Sequence, residues 1–153
     1  MSNILIALSV WLHALATIVF IGHYVLLALI YLPVLKQGDG TILSQISKRS
    51  RVWMYISLFT FILTGIYLML VDSNYLGFAD FGNLWGILML VKHILILGMI
   101  AIGFWYNAIL RVGPMLSSRT GSDLAFARFR MYVNMMAVIG ILVLVLTAFS
   151  QVQ

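Results

Sequence analysis

The sequence predicts an all-α protein of the integral membrane class, a four-helix bundle with both termini on the outer side of the bilayer. Three observations predict it. Hydrophobic residues make up 63% of the 153 and charged residues only 8%, where a soluble domain averages about 25% charged. The apolar residues gather into four runs, each close to or beyond the roughly 20 residues of helix that cross a hydrocarbon layer. The basic residues are confined almost entirely to two of the three connections between those runs.

The first run covers about residues 4–34. It has no basic segment ahead of it and is too long for the apolar core of a signal peptide, so it reads as a retained span. The second covers about 52–71, the third about 84–112 and the fourth about 131–149. Runs one and three exceed the minimum, so they tilt or project beyond the bilayer. The first connection holds Gly38-Asp39-Gly40 and then a basic cluster. The second, 72–83, is acidic and contains glycine, and the third, 113–130, holds Pro114, Gly121 and several arginines. With no repeat, linker or low-complexity tract, the chain reads as one transmembrane domain, 1–153. Mean hydropathy is +1.10.

Charge placement gives the orientation. Lys36, Lys48, Arg49 and Arg51 belong to the first connection, and Arg111, Arg119, Arg128 and Arg130 to the third. The second connection and both tails carry no Lys or Arg. The positive-inside rule then places connections one and three in the cytoplasm and both termini outside, as in a bacterial inner membrane. The net charge of +5 is thereby explained by topology, and nucleic acid is not an expected partner. Absence of cysteine excludes disulfides, thiolate metal sites and thiol redox chemistry.

Ionisable residues inside a span are costly and mark candidate sites. There are four: His13 and His23 in run one, Lys92 and His93 in run three. His13 lies nine positions after Ile4, and His93 nine after Leu84. At about 1.5 Å per residue both sit roughly 13 Å along parallel helices. Two imidazoles at equal depth on different helices suit the two faces of one haem b. Ala16 and Thr17 beside His13, and Gly86 two turns before His93, are candidates to make room for the porphyrin. His23 is about 15 Å further along and some 80° round from His13, so it is a spare. Each histidine also has a plainer reading as a hydrogen-bonding residue between helices.

Lys92 either snorkels to the outer interface along its own stem or pairs with an anion in the bundle, such as a haem propionate or an anionic substrate. Asp72 and Asp80 are candidate protein partners for it. Met69 and Met89 fall in the outer half, and thioethers with His13 and His93 would suit Cu(I), although methionine more often just packs. Asn107 and Asn134 are placed to bond between helices three and four. Trp11, Trp53, Trp85 and Trp105 read as interfacial anchors.

Several short motifs resemble a known family. Run one reads Leu12-His13-Ala14, then Gly22 and Pro33. Run two holds Thr64-Gly65-Ile66. Run three reads Trp85-Gly86-Ile87-Leu88-Met89-Leu90-Val91-Lys92 and continues to Asn107, Arg111 and Pro114. This looks like the CopD family of copper-resistance membrane proteins and its small four-helix relatives, over runs one to three. The resemblance implies copper uptake or homeostasis from the periplasmic side, through His13, Gly22, Lys92 and Pro114. His93 beside Lys92 departs from that pattern and favours a haem-ligand pair. A weaker resemblance, on His13, Lys92 and the stretch from Arg130 to Asn134, is to the HemJ type of protoporphyrinogen oxidase. The tryptophan-glycine-leucine and leucine-proline-arginine patterns expected there are absent, and Leu32-Pro33-Val34 stands in place of the latter.

The sequence therefore leads first to a membrane b-type cytochrome with one haem between helices one and three, exchanging electrons with a quinol or a periplasmic redox protein. Second comes a copper-binding transporter served by a copper-carrying protein, and third a HemJ-like oxidase. A homodimer, or a subunit of a larger membrane complex without chemistry of its own, is also compatible with the chain.

Overall fold

The computed structural model describes residues 3–34, 40–75, 77, 82–106 and 122–152. Four helices are long and apolar enough to cross a membrane. We label them α1 (Asn3–Val34), α2 (Gly40–Val71), α3 (Leu84–Phe104) and α4 (Ser122–Ser150). All regular structure among the described residues is helical.

Two helices begin well before the apolar runs that announced them. The second was expected from 52 and starts at Gly40; the fourth was expected from 131 and starts at Ser122. Lys48, Arg49, Arg51, Arg128 and Arg130 are thus helical rather than in connections. Hydropathy marks only the stretch suited to hydrocarbon, whereas a helix continues as far as propensity and packing carry it. Lys, Arg and Gln are good helix formers, and the packed stripe already runs through these ends, with Ser44, Ala125 and Phe129 buried. Beyond Phe104 the winding of the third helix widens at Trp105 and Tyr106, the last described residues of this stretch. Expectations that fall on Lys36, Asp39, Asp80, Asn107, Arg111, Pro114 and Arg119 lie outside the described residues.

α1 also changes winding, from α to a π segment at Leu27–Tyr31. Pro33, two residues on, has no N–H and crowds the carbonyl four residues back. The wider winding accommodates this locally: the Leu32 N–H reaches back five residues to the Leu27 carbonyl.

α1 is the centre of the arrangement, packed against both α2 and α4, while α3 packs chiefly on α4. Residues spaced by three and four build each contact face. On α1 these are Ala16, Phe20, Tyr24 and Leu27; on α4, Phe129, Val133, Met136, Ala137 and Val143, all buried. The two backbones approach closely at Gly140, where a Cβ would stand 2.7 Å from Ile21 Cγ2. A knot of aromatic rings fills one end of this core. Tyr24 and Tyr132 hydrogen-bond through their hydroxyls at 2.8 Å, Tyr106 stacks on Tyr132 at 4.4 Å, and Phe20 stands edge-on to Tyr24.

Outward positions are large and apolar: Leu5, Ile18, Phe59, Leu63, Leu97 and Phe104 are each more than half exposed. Contiguous apolar surface on this scale is foreign to a water-soluble monomer. Trp11, Trp53 and Trp105 share that exposed surface. Trp85 does not: at 4% exposure it belongs to the interior, because it falls on the same α3 face as Met99, two heptads on.

The connection between α2 and α3 is tied by side chains. Asp72 accepts the Asn74 N–H at 2.9 Å, and the Asn83 amide donates to the Asn74 carbonyl at 2.9 Å. Asn83 Oδ1 then accepts the Gly86 N–H at 2.7 Å, capping the first turn of α3. This fixes Asp72 near the start of the helix that carries Lys92 and His93.

Candidate functional site

His13 continues the buried stripe of α1, three residues before Ala16 and seven before Phe20. On α2 the same spacing sets Ser57, Phe61 and Thr64 on one buried face. The two stripes meet at the imidazole. His13 Nδ1 lies 2.9 Å from Thr64 Oγ1, and its ring stacks on Phe61 with centroids 4.5 Å apart and planes 21° apart.

The hydrogen on each nitrogen follows from counting donors. Thr64 has one hydroxyl hydrogen. Its oxygen lies 2.6 Å from the Thr60 carbonyl and 3.4 Å from that of Phe61. An oxygen pair at 2.6 Å needs that hydrogen between its members, so Thr64 has only a lone pair to offer His13. His13 Nδ1 is therefore the donor, and in the neutral ring Nε2 carries the lone pair. His93 is set the same way by a different route. Its Nδ1 lies 2.6 Å from the Met89 carbonyl, which can only accept, so Nδ1 donates and Nε2 is again the basic atom. One ring nitrogen held by an oxygen acceptor and the other left basic is the usual preparation of a metal-ligating histidine.

Lys92 is half-buried and falls on the inward face of α3. It stands seven residues after Trp85, four before Ile96 and seven before Met99, all three buried. His93, one residue on, is turned about 100° from that face. No hydrogen bond or ring contact joins His13 to His93: the recorded partners of the first are on α2, and the hydrogen bond of the second is within α3.

The remaining expected residues are spread out. Ala16 is in the core. Thr17 donates to the His13 carbonyl at 2.7 Å within α1, and Gly86 belongs to the capped first turn of α3. The small residue against the His13 ring is Gly65, where a Cβ would stand 3.1 Å from Cε1. Met69 is partly buried, and Met89 engages His93 through its carbonyl. Asn134 is exposed. His23 meets Tyr24 edge-on at 5.6 Å. Among the described residues no three His, Asp or Glu side chains gather as a metal cluster, a test that a two-histidine haem site does not have to meet. Thr64 entered the sequence reading only through the family-like Thr-Gly pair, and Thr60 and Phe61 not at all. Their signal was a threonine seven residues from a serine on one helical face.

Fold and site together define a class: an all-helical chain, with four helices long and apolar enough to cross a membrane, carrying two imidazoles with basic Nε2 atoms on separate helices. Compared with protein-family models, curated proteins and solved structures, the chain finds no match.

Proposed function

We propose that the protein is a b-type cytochrome of the bacterial inner membrane, with both termini outside and one haem b held between α1 and α3. The observation that carries this reading is the matched preparation of His13 and His93. Each gives Nδ1–H to an oxygen acceptor and keeps Nε2 for a ligand. Haem iron takes imidazole on both faces, and two such residues suffice. When bound, the haem supplies one-electron exchange, with a quinol or a periplasmic redox protein as partner.

The chain's own contributions follow from its residues. His13 and His93 would hold the iron. Lys92, on the inward face, would neutralise a propionate. The apolar outer surfaces face lipid and keep the cleft dry. Orientation rests on the basic residues, whose concentration in connections one and three and at the starts of α2 and α4 that follow them favours a cytoplasmic location for both connections.

The polar residues His13 and Lys92 also suit a second reading. With the stretch from Arg130 to Asn134, that pair carries the likeness to HemJ-type porphyrinogen oxidases, and an anionic porphyrin substrate would use the same ammonium. Copper carriage, with Met69 and Met89 added to the histidines, is the third. Purification from haem-replete cells tests the proposal. A red protein with a Soret band that sharpens on reduction is expected. A colourless protein under all growth conditions overturns the cytochrome reading, and Cu(I) binding by the same histidines then becomes the measurement to make.

A further inference from the structure

We propose that Thr64 and Gly65 of α2 are positioning residues for His13, holding its ring in one place and one tautomer so that only the Nε2 edge is left for a ligand. The haem reading is involved only in what binds at Nε2; the positioning belongs to the chain itself.

Three sides of the imidazole are occupied. Along the Nδ1 edge, Thr64 Oγ1 accepts at 2.9 Å and is barred from donating, because its hydrogen goes to the Thr60 carbonyl. On one face lies Phe61, nearly parallel. At the Cε1 corner lies the backbone of Gly65, where a Cβ would come within 3.1 Å of Cε1 and 3.7 Å of Nδ1. The first of these distances is tighter than ordinary van der Waals contact. The ring has little freedom to retreat, since Phe61 and Thr64 hold it on the other two sides. Cε1 is bonded to both ring nitrogens, so a push there swings Nε2.

The adjacent residues Thr64 and Gly65 therefore do two separate jobs: the hydroxyl selects the tautomer and the missing side chain sets the ring's position. Among the described residues, no hydrogen bond or ring contact frames His93 from another helix. Its hydrogen bond goes to its own helix, four residues back, and α3 packs mainly on α4. Between the two imidazoles, His13 is the one the fold holds rigidly.

Nitrogen NMR of histidine-labelled protein, purified without haem or copper, tests the positioning directly. Wild type is expected to show His13 as Nδ1–H with a slowly exchanging proton. Thr64→Ser should keep this signature. Thr64→Val should lose it, giving fast exchange or admixture of Nε2–H. Haemin titration is the second readout. Outer partners of ligating histidines are worth about 10–100-fold in affinity, so Thr64→Val should bind haemin weaker by that factor, with recovery in Thr64→Ser. Gly65→Ala should weaken it while leaving the tautomer as Nδ1–H. An Nε2–H tautomer in wild type overturns the proposal without any variant. So does a Thr64→Val protein with the wild-type tautomer and exchange rate. If haemin does not bind but His13 shows the expected tautomer and its loss in Thr64→Val, the positioning stands and the cytochrome reading falls.

Discussion

Tyr24 and Tyr132 offer a test of the fold that is independent of any cofactor. Their hydroxyls are 2.8 Å apart, and both residues are buried, at 9% and 5% exposure. Removing one hydroxyl leaves the other without its partner in a site that water does not reach readily. The net value of a hydrogen bond is about 0.5–1.5 kcal/mol, and an abandoned buried polar group costs about 1–3 kcal/mol. Interhelical bonds measured within membranes fall lower, averaging about 0.6 kcal/mol with a maximum of about 1.7. Tyr24→Phe and Tyr132→Phe should each therefore cost about 1 kcal/mol, roughly a fivefold change in the unfolding equilibrium. The pair together should cost little more than either alone, because the double variant abandons no donor. The coupling energy is then about 1 kcal/mol, well above the additivity expected of distant sites. Reversible unfolding in bicelles or mixed micelles, followed by circular dichroism, measures all three variants. Strict additivity of the two single effects would refute the hydrogen bond and with it the register of α1 against α4.

Three further outcomes follow from the same structure. Gly140→Ala places a methyl 2.7 Å from Ile21 Cγ2 and should destabilise by about 1–3 kcal/mol; most of that penalty should disappear in an Ile21→Ala background, which thermal unfolding in detergent can read. Lys92→Met should insert and fold normally but retain less haem during purification, as the proposed pairing of its ammonium with a propionate requires; unchanged haem content would favour simple snorkelling of Lys92. A C-terminal alkaline phosphatase fusion should be active and a C-terminal fluorescent protein dark, as the proposed outside placement of both termini requires, with the opposite pattern reversing the topology.

The sequence carried the number of helices and the polar residues on them, because hydropathy and charge are properties of composition along the chain. It misplaced the starts of α2 and α4, because Lys48 to Arg51 and Arg128 to Arg130 are polar in water yet good helix formers, and hydropathy does not separate these properties. Trp85 was misjudged for a related reason: tryptophan near the end of a run signals an interface on average, while its burial here depends on sharing the Met99 face. Depth along a helix could be counted for His13 and His93, but what holds each ring could not. Thr64 lies 51 residues from His13, and only the packing of α1 on α2 shows that its hydroxyl determines which nitrogen of His13 is basic. Thr60, which settles the direction of that bond, looked like any other polar residue in an apolar run.

The central claim, that His13 and His93 share one haem iron, is tested most directly by electron paramagnetic resonance of the oxidised protein, recorded for wild type and for single alanine variants of each histidine. The account predicts a low-spin bis-imidazole signal in wild type. It predicts conversion to high spin or loss of haem in both His13→Ala and His93→Ala, and an unaltered signal in His23→Ala. A low-spin signal that survives His93→Ala but vanishes in His23→Ala would contradict it.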